Sequence, residues 1–171
     1  MWPLLQLFID IAFHRRGPED VPSAGLLLGL VLVTATAVQV ISLMALGNLF
    51  PRAAAETAMH LALTFGAYAL VLRWRGHGAR FRQTATALLG TATLLGLVML
   101  PVVTWLDAGI RAEAVPPLAL LAFFALMVWS IDITGFVLSR ALGAHYAVGV
   151  LLALAVIILD TSVRRQWLLP A

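Results

Sequence analysis

The sequence contains no cysteine and no lysine, and only 11% of its 171 residues are charged. Without cysteine, the chain can form no disulfide, no thiolate metal site and no thiol-based redox centre. The charged fraction is well below the roughly one quarter that is typical of soluble domains. These absences exclude disulfide-stabilised secreted folds and thiol enzymes, and they indicate that water is not the main solvent of this chain.

Signatures of catalysis are also missing. The chain has no His-Glu-x-x-His zinc helix, no Gly-x-Ser-x-Gly nucleophile turn and no glycine-rich phosphate loop. No combination of residues has the spacing of a complete metal site, which for zinc requires at least three protein donors. The sequence therefore predicts a protein that is not an enzyme, with no catalytic residue, no cofactor and no metal.

Apolar residues, in contrast, make up 62% of the chain. Five apolar stretches are long enough to cross, as helices, a hydrocarbon core about 30 Å thick. We expect one membrane domain of the all-α class, a polytopic transmembrane helix bundle with spans at about residues 24–49, 53–74, 84–106, 117–139 and 145–163. Pro101 should kink the third span, because proline removes a backbone donor and clashes with the preceding turn.

Residues 1–16 predict an amphipathic helix that lies in the membrane surface. Gln6, Asp10 and His14 recur every four residues and form a narrow polar stripe on an otherwise apolar helix. Trp2 suits the depth of the lipid headgroups. Gly17 and the proline after it should end this helix before the first span.

The arginines are divided unevenly between the two ends of the expected bundle. With alternating spans, seven fall on the N-terminal side and four on the other. The first group comprises Arg15, Arg16, Arg73, Arg75, Arg80, Arg82 and Arg140, and the second comprises Arg52, Arg111, Arg164 and Arg165. Because positive residues stay in cytoplasmic loops, we expect a cytoplasmic N-terminus and a periplasmic C-terminus. A re-entrant fifth segment would instead return the C-terminus to the cytoplasm.

The origin and partners of the chain are inferred from the same basic residues. Exclusive use of arginine, with richness in alanine and leucine, indicates a bacterial inner-membrane protein. Arg73, Arg75, Arg80 and Arg82 form a loop that could set topology and bind anionic lipid headgroups, each arginine contributing about 1 kcal/mol. Although the pI is near 10.6, we expect no nucleic acid partner, because the arginines do not form one basic face of a folded domain.

Asp132 is the only charged residue in the core of the fourth expected span. A charge at membrane depth costs a few kcal/mol, so it usually faces the bundle interior, pairs or titrates. One interpretation is an ion pair with an arginine such as Arg73 or Arg140, or a hydrogen bond across the bundle. The other is a role in ion or proton handling, together with Glu56 and His60.

Two further pairs of ionisable residues have i, i+4 spacing, which places each pair on one helix face. Glu56 and His60 lie near the outer end of the second span, where they could be a half-solvated ion pair or part of an ion path. Asp160 and Arg164 lie near the end of the fifth span, and we interpret them as an anchor whose arginine reaches toward the interface.

Small residues indicate where helices could approach closely. Gly25 and Gly29 in the first span, and Ala92 and Gly96 in the third, have the four-residue spacing that permits such contacts. Chance in a chain rich in glycine and alanine explains the first pair equally well. The threonines of the spans are expected to form hydrogen bonds between helices.

The sequence GHGARFRQT at residues 76–84, followed by Gly90 and then Pro101, resembles the Yip-domain family of Ypt/Rab-interacting proteins and their small bacterial relatives. In that family a glycine-rich basic loop with a Phe-basic-Gln-Thr sequence opens the third helix, and five spans follow a cytoplasmic N-terminus. The resemblance covers residues 76–101. It implies a non-enzymatic protein of membrane organisation or partner binding, and it supplies no catalytic residue.

Two functions are therefore predicted. The first is a membrane scaffold or accessory subunit, acting with a membrane-protein partner or a second copy of itself. The alternative is a small transporter or channel subunit that uses Asp132, with Glu56 and His60, along an ion or proton path.

Overall fold

The computed structural model describes residues 2–168, with side chains through Gln166. Over this range the chain forms six α-helices and two short 3-10 turns, with no β-strand. The helices are α1 (Trp2–Ala12), α2 (Gly25–Ala45), α3 (Phe50–Trp74), α4 (Phe81–Arg111), α5 (Pro117–Leu142) and α6 (Tyr146–Leu168). The predicted all-α class is confirmed.

Helices α2 to α6 are each long and apolar enough to cross a membrane. Short loops alternate their direction, so α1 and the starts of α2, α4 and α6 lie at one end of the bundle, here called the N-terminal end. The fifth segment, α6, is one continuous helix of 23 residues, about 35 Å long at 1.5 Å per residue.

The observed helix bounds differ from the predicted spans mainly at polar ends. Helix α4 runs from Phe81 to Arg111, beyond the expected residues 84–106 at both ends. Helix α2 ends at Ala45, earlier than expected, and Gly47 then adopts a φ of 91°. Glycine takes this left-handed conformation at little cost, which lets the chain turn toward α3.

The first third of α4 forms the centre of the bundle. Every residue from Thr84 to Thr91 is buried, because α1, α2 and α5 all pack around this segment. The hydroxyls of Thr84 and Thr91 donate to the carbonyls of Arg80 and Ala87 on the same helix. The expected hydrogen bonds between helices are thus replaced here by bonds within one helix.

Helix α1 is shorter than the predicted residues 1–16, and its apolar side packs on protein. Leu7, Phe8 and Ile11 are buried, and a Cβ built on Gly90 of α4 would lie 2.3 Å from the Phe8 ring. The indole nitrogen of Trp129 on α5 donates to the final carbonyl of α1 at 3.1 Å. The helix is therefore docked on α4 and α5 rather than held by lipid alone.

The small residues predicted to allow close helix packing differ in whether they contact another helix. Gly25 and Gly29 lie exposed, with no atom of another segment within 4 Å of a built Cβ, so the predicted close approach there is wrong within this chain. That face of α2 points away from α4. At Gly96 a built Cβ would lie 2.9 Å from Val38 of α2, and Ala92 lines a cavity described below.

The tightest helix contact joins α5 and α6. A Cβ built on Gly149 would lie only 2.0 Å from the carbonyl oxygen of Gly135.

We expect Gly149→Ala to destabilise the protein by about 1–3 kcal/mol, the usual cost of overpacking, measured as the thermal midpoint in detergent. Gly66→Ala is the matched control, since no atom of another segment lies within 4 Å of its built Cβ and alanine favours helix. Equal shifts in the two variants would contradict the observed packing.

Candidate functional site

Three ionisable side chains meet between α3 and α6. Asp160 Oδ2 lies 2.7 Å from Nη2 of Arg164 and 3.1 Å from Nδ1 of His60. The aspartate and arginine are one helical turn apart on α6, and the packing of α3 against α6 brings in the histidine. The Asp160 side chain is only 5% exposed, so this carboxylate is a buried charge held by two nitrogen groups.

Two polar atoms of the trio form no hydrogen bond within it. Asp160 Oδ1 and Arg164 Nε are buried and have no hydrogen-bond partner among the described residues. A buried polar atom without a partner costs roughly 1–3 kcal/mol. The site can therefore accept one hydrogen bond at the carboxylate and donate one at the guanidinium.

The site lies about two helical turns from the C-terminal end of α6, where the apolar run of residues 146–159 ends at Asp160. Asp160 precedes the end of α6 at Leu168 by eight residues, about 12 Å along the helix. His60 follows the start of α3 at Phe50 by ten residues, which gives a similar depth from the same end. A charge at such a depth is costly and marks a functional position by default.

A cavity of about 200 Å³ opens beside the trio. It is bordered by all five spanning helices, and Asp160 and His60 are part of its wall. Its other polar lining residues are Gln39, Thr64, Tyr68, Ser130 and Thr134. This volume is larger than one water molecule needs, so the cavity has room for water beside the trio.

The trio combines an ion pair with a histidine. The carboxylate of Asp160 and the guanidinium of Arg164 carry opposite charges, and arginine stays charged in proteins. His60 adds an imidazole with a second ring nitrogen that is able to bind a proton.

The predicted pairing of Glu56 with His60 is wrong. Glu56 instead lies 3.0 Å from Arg52, one turn earlier on α3. His60 points to α6, because the neighbouring helix offers a buried carboxylate. Of the residues predicted to handle an ion, only His60 belongs to this site.

Sequence reasoning missed Asp160 and Arg164 as site residues by treating them as an exposed anchor. The ion pair exists, but the aspartate is buried inside the bundle. A usable signal was present, since counting residues from the shared end of the bundle places His60 and Asp160 at matching depths. The sequence alone did not predict which face of α3 packs against which face of α6.

Asp132 belongs to a second polar cluster, which holds α1 to the bundle. Its two oxygens lie 3.2 Å from Nε2 of His14 and 2.5 Å from the hydroxyl of Tyr146, which donates to it. The His14 ring also stacks on Phe136 at 4.2 Å between centroids. The predicted pairing with Arg140 is wrong, because Arg140 pairs with Glu19 instead. The predicted alternative, a hydrogen bond across the bundle, is present between Asp132 on α5 and Tyr146 on α6.

The arginines of the α3–α4 connection remain largely on the surface. Arg73, Arg75 and Arg82 are exposed. Arg80 donates to the carbonyl of Ala141 at 3.2 Å, so it satisfies an end carbonyl of α5. In the part of the chain that the structure describes, no group of three or more His, Cys, Asp or Glu residues could hold a metal ion.

Comparison with known proteins finds no match to a family model, to a curated protein or to a solved structure. The resemblance of residues 76–101 to the Yip-domain family therefore stays a prediction. The properties of the site rest on the geometry of this chain.

The burial of the Asp160–Arg164 pair can be tested against an exposed pair of the same kind. Asp107 and Arg111 on α4 have the same spacing and lie 2.8 Å apart, but their side chains are 32% and 64% exposed. We expect Asp160→Asn to cost about 3–5 kcal/mol, as when a buried ion pair loses one partner. Asp107→Asn should cost less than about 1 kcal/mol. Thermal unfolding in detergent measures both, and equal losses would show that Asp160 is not buried as described.

Proposed function

We propose that this protein is a non-enzymatic, multi-pass membrane protein that handles a proton or another small ion at the site formed by Asp160 and His60. It would act as a small transporter or as a channel subunit. The observation that carries this proposal is the buried carboxylate of Asp160, which has one oxygen without a hydrogen-bond partner among the described residues and belongs to a residue that lines a cavity between the helices.

A purely structural ion pair would not need these surroundings. Arg164 alone compensates the charge of Asp160, yet α3 adds a histidine, and α2, α3 and α5 add polar groups around a cavity. Buried charges are retained in membranes where they line substrate paths or relay protons. The combination of an ionisable trio and space for water supports ion handling.

This proposal changes the residues that we assign to the path. Asp132 is engaged by His14 and Tyr146, and about a third of its side chain is exposed. Glu56 is engaged by Arg52. Neither borders the cavity, and we assign the path to Asp160 and His60 instead.

We also propose an inner-membrane location in a bacterium, with the N-terminus in the cytoplasm. The arginine distribution, with seven arginines at one end and four at the other, supports this orientation. The exposed Arg75 and Arg82 are then available to anionic lipid headgroups at the cytoplasmic face.

Ion flux in proteoliposomes tests the main proposal. Liposomes containing the full chain should dissipate an imposed proton or sodium gradient, which an entrapped indicator dye follows. Asp160→Asn should lower this flux at least about tenfold, because it removes a charged group inside the bundle. Asp107→Asn serves as the control and should leave the flux unchanged. A wild-type flux no greater than that of empty liposomes would overturn the proposal.

A scaffold or accessory subunit is the second candidate, and one observation favours it. An exposed apolar groove of about 850 Å³ follows α2 and α3, and Gly25 and Gly29 lie open on α2. Exposed small residues allow another helix to approach closely. The resemblance to the Yip-domain family also agrees with partner binding.

In-cell crosslinking separates this candidate from a self-contained transporter. Since the chain has no cysteine, a single Val33→Cys variant places one reactive group in the groove. A scaffold should give a stoichiometric crosslink to one membrane protein or to a second copy, whereas Val148→Cys on the exposed part of α6 should not. Failure of Val33→Cys to crosslink above that control would count against the scaffold.

A further inference from the structure

The chemistry around Asp160 narrows the kind of ion that the site can bind, and this inference rests on the proposed function. Asp160 Oδ2 already accepts from two nitrogen groups, those of Arg164 and His60. Only Oδ1 is left for a ligand. Any bound ion must therefore sit beside a guanidinium that is never deprotonated.

A sodium, potassium or divalent ion fits this site poorly. It would approach Oδ1 of a carboxylate whose charge Arg164 already neutralises, and two positive charges a few ångströms apart repel strongly where water is scarce. An anion fits no better, because Asp160 opposes it at equally short range. The proton is different, because a histidine can take it up while remaining hydrogen-bonded to the carboxylate.

The geometry also assigns the two nitrogens of His60. Since a carboxylate only accepts hydrogen bonds, the nitrogen at 3.1 Å from Asp160, Nδ1, carries a hydrogen. The other nitrogen, Nε2, is then the basic one. Such fixing of one tautomer by a carboxylate is a common way to prepare imidazole for proton transfer.

We infer that His60 is the proton-binding group of this protein, and that Asp160 and Arg164 form a fixed neutral pair that positions its imidazole at the cavity. A hydronium ion in the cavity transfers its proton to Nε2, which forms imidazolium and leaves one water. The reverse transfer, from imidazolium to water, releases the proton. The site alternates between neutral and singly positive, and no other co-reactant is needed.

Few other ionisable groups face His60. On α6 these are Asp160 and Arg164, and on its own helix they are Glu56, which is bound to Arg52, and Tyr68 on the cavity wall. The residues that α2, α4 and α5 contribute to the cavity are not ionisable, and their polar members are Gln39, Ser130 and Thr134. Of the residues that line the cavity, His60 is therefore the one to test for proton binding.

The test uses the full chain with His60→Asn. Asparagine can place an amide donor where Nδ1 stands and so keep the bond to Asp160, but it cannot bind a proton. His145→Asn is the control, because His145 is exposed in the α5–α6 turn and its Nδ1 accepts from the amide of Ala147. Both variants should keep the wild-type thermal midpoint.

Two measurements are made on each protein. Proteoliposome flux is recorded with a proton gradient alone and, separately, with a sodium or potassium gradient. Imidazole ¹⁵N shifts are recorded in nanodiscs between about pH 5 and pH 8, the range in which histidine changes charge. The signal missing in His60→Asn identifies the residue.

We expect proton flux to fall about 100-fold in His60→Asn, the size typical of losing a positioned proton-transfer group, and to be unchanged in His145→Asn. Flux of a metal ion that survives in His60→Asn would overturn the inference and leave the proposed ion handling intact. If no ion crosses but His60 titrates in this pH range, proton binding stands and transport fails. A His60 signal that does not move with pH would overturn the inference outright.

Discussion

In hydrocarbon, each backbone N–H and C=O must find its partner inside the protein, and this constraint governs the whole structure. It leaves only helices for the segments that cross the membrane. Side chains obey the same rule, since the hydroxyls of Thr84 and Thr91 return to carbonyls of their own helix. With polar needs met locally, the helices are free to pack by shape, as at Gly149 against Gly135.

Because of the same constraint, a buried polar group without a hydrogen-bond partner indicates a candidate functional site. At the exposed end of α4, the pair of Asp107 and Arg111 is an ordinary surface interaction. The chemically identical pair of Asp160 and Arg164 lies inside the bundle, with one carboxylate oxygen free and a cavity beside it. Burial, rather than residue type, separates an anchor from a candidate site.

Helix α1 shows a further use of buried polar contacts. An amphipathic helix of this kind could lie on lipid alone, but Phe8 fits over Gly90 and His14 joins Asp132 beside Tyr146. The solitary charge that stands out in the fourth span thus connects the N-terminal segment to α5 and α6. Its isolation in the sequence was informative, although its partners were not foreseeable.

By itself the sequence determined the all-helical class, the five spans and the amphipathic first helix, because hydrophobic length and periodicity depend on neighbours in the chain. It also singled out His60 as a residue to watch. Only the tertiary structure decided that His60 meets Asp160 rather than Glu56, and that Gly25 and Gly29 face outward while Gly149 packs. Those outcomes depend on the rotation and vertical register of each helix against the others. Such quantities are set by packing across the whole bundle, and no single segment encodes them.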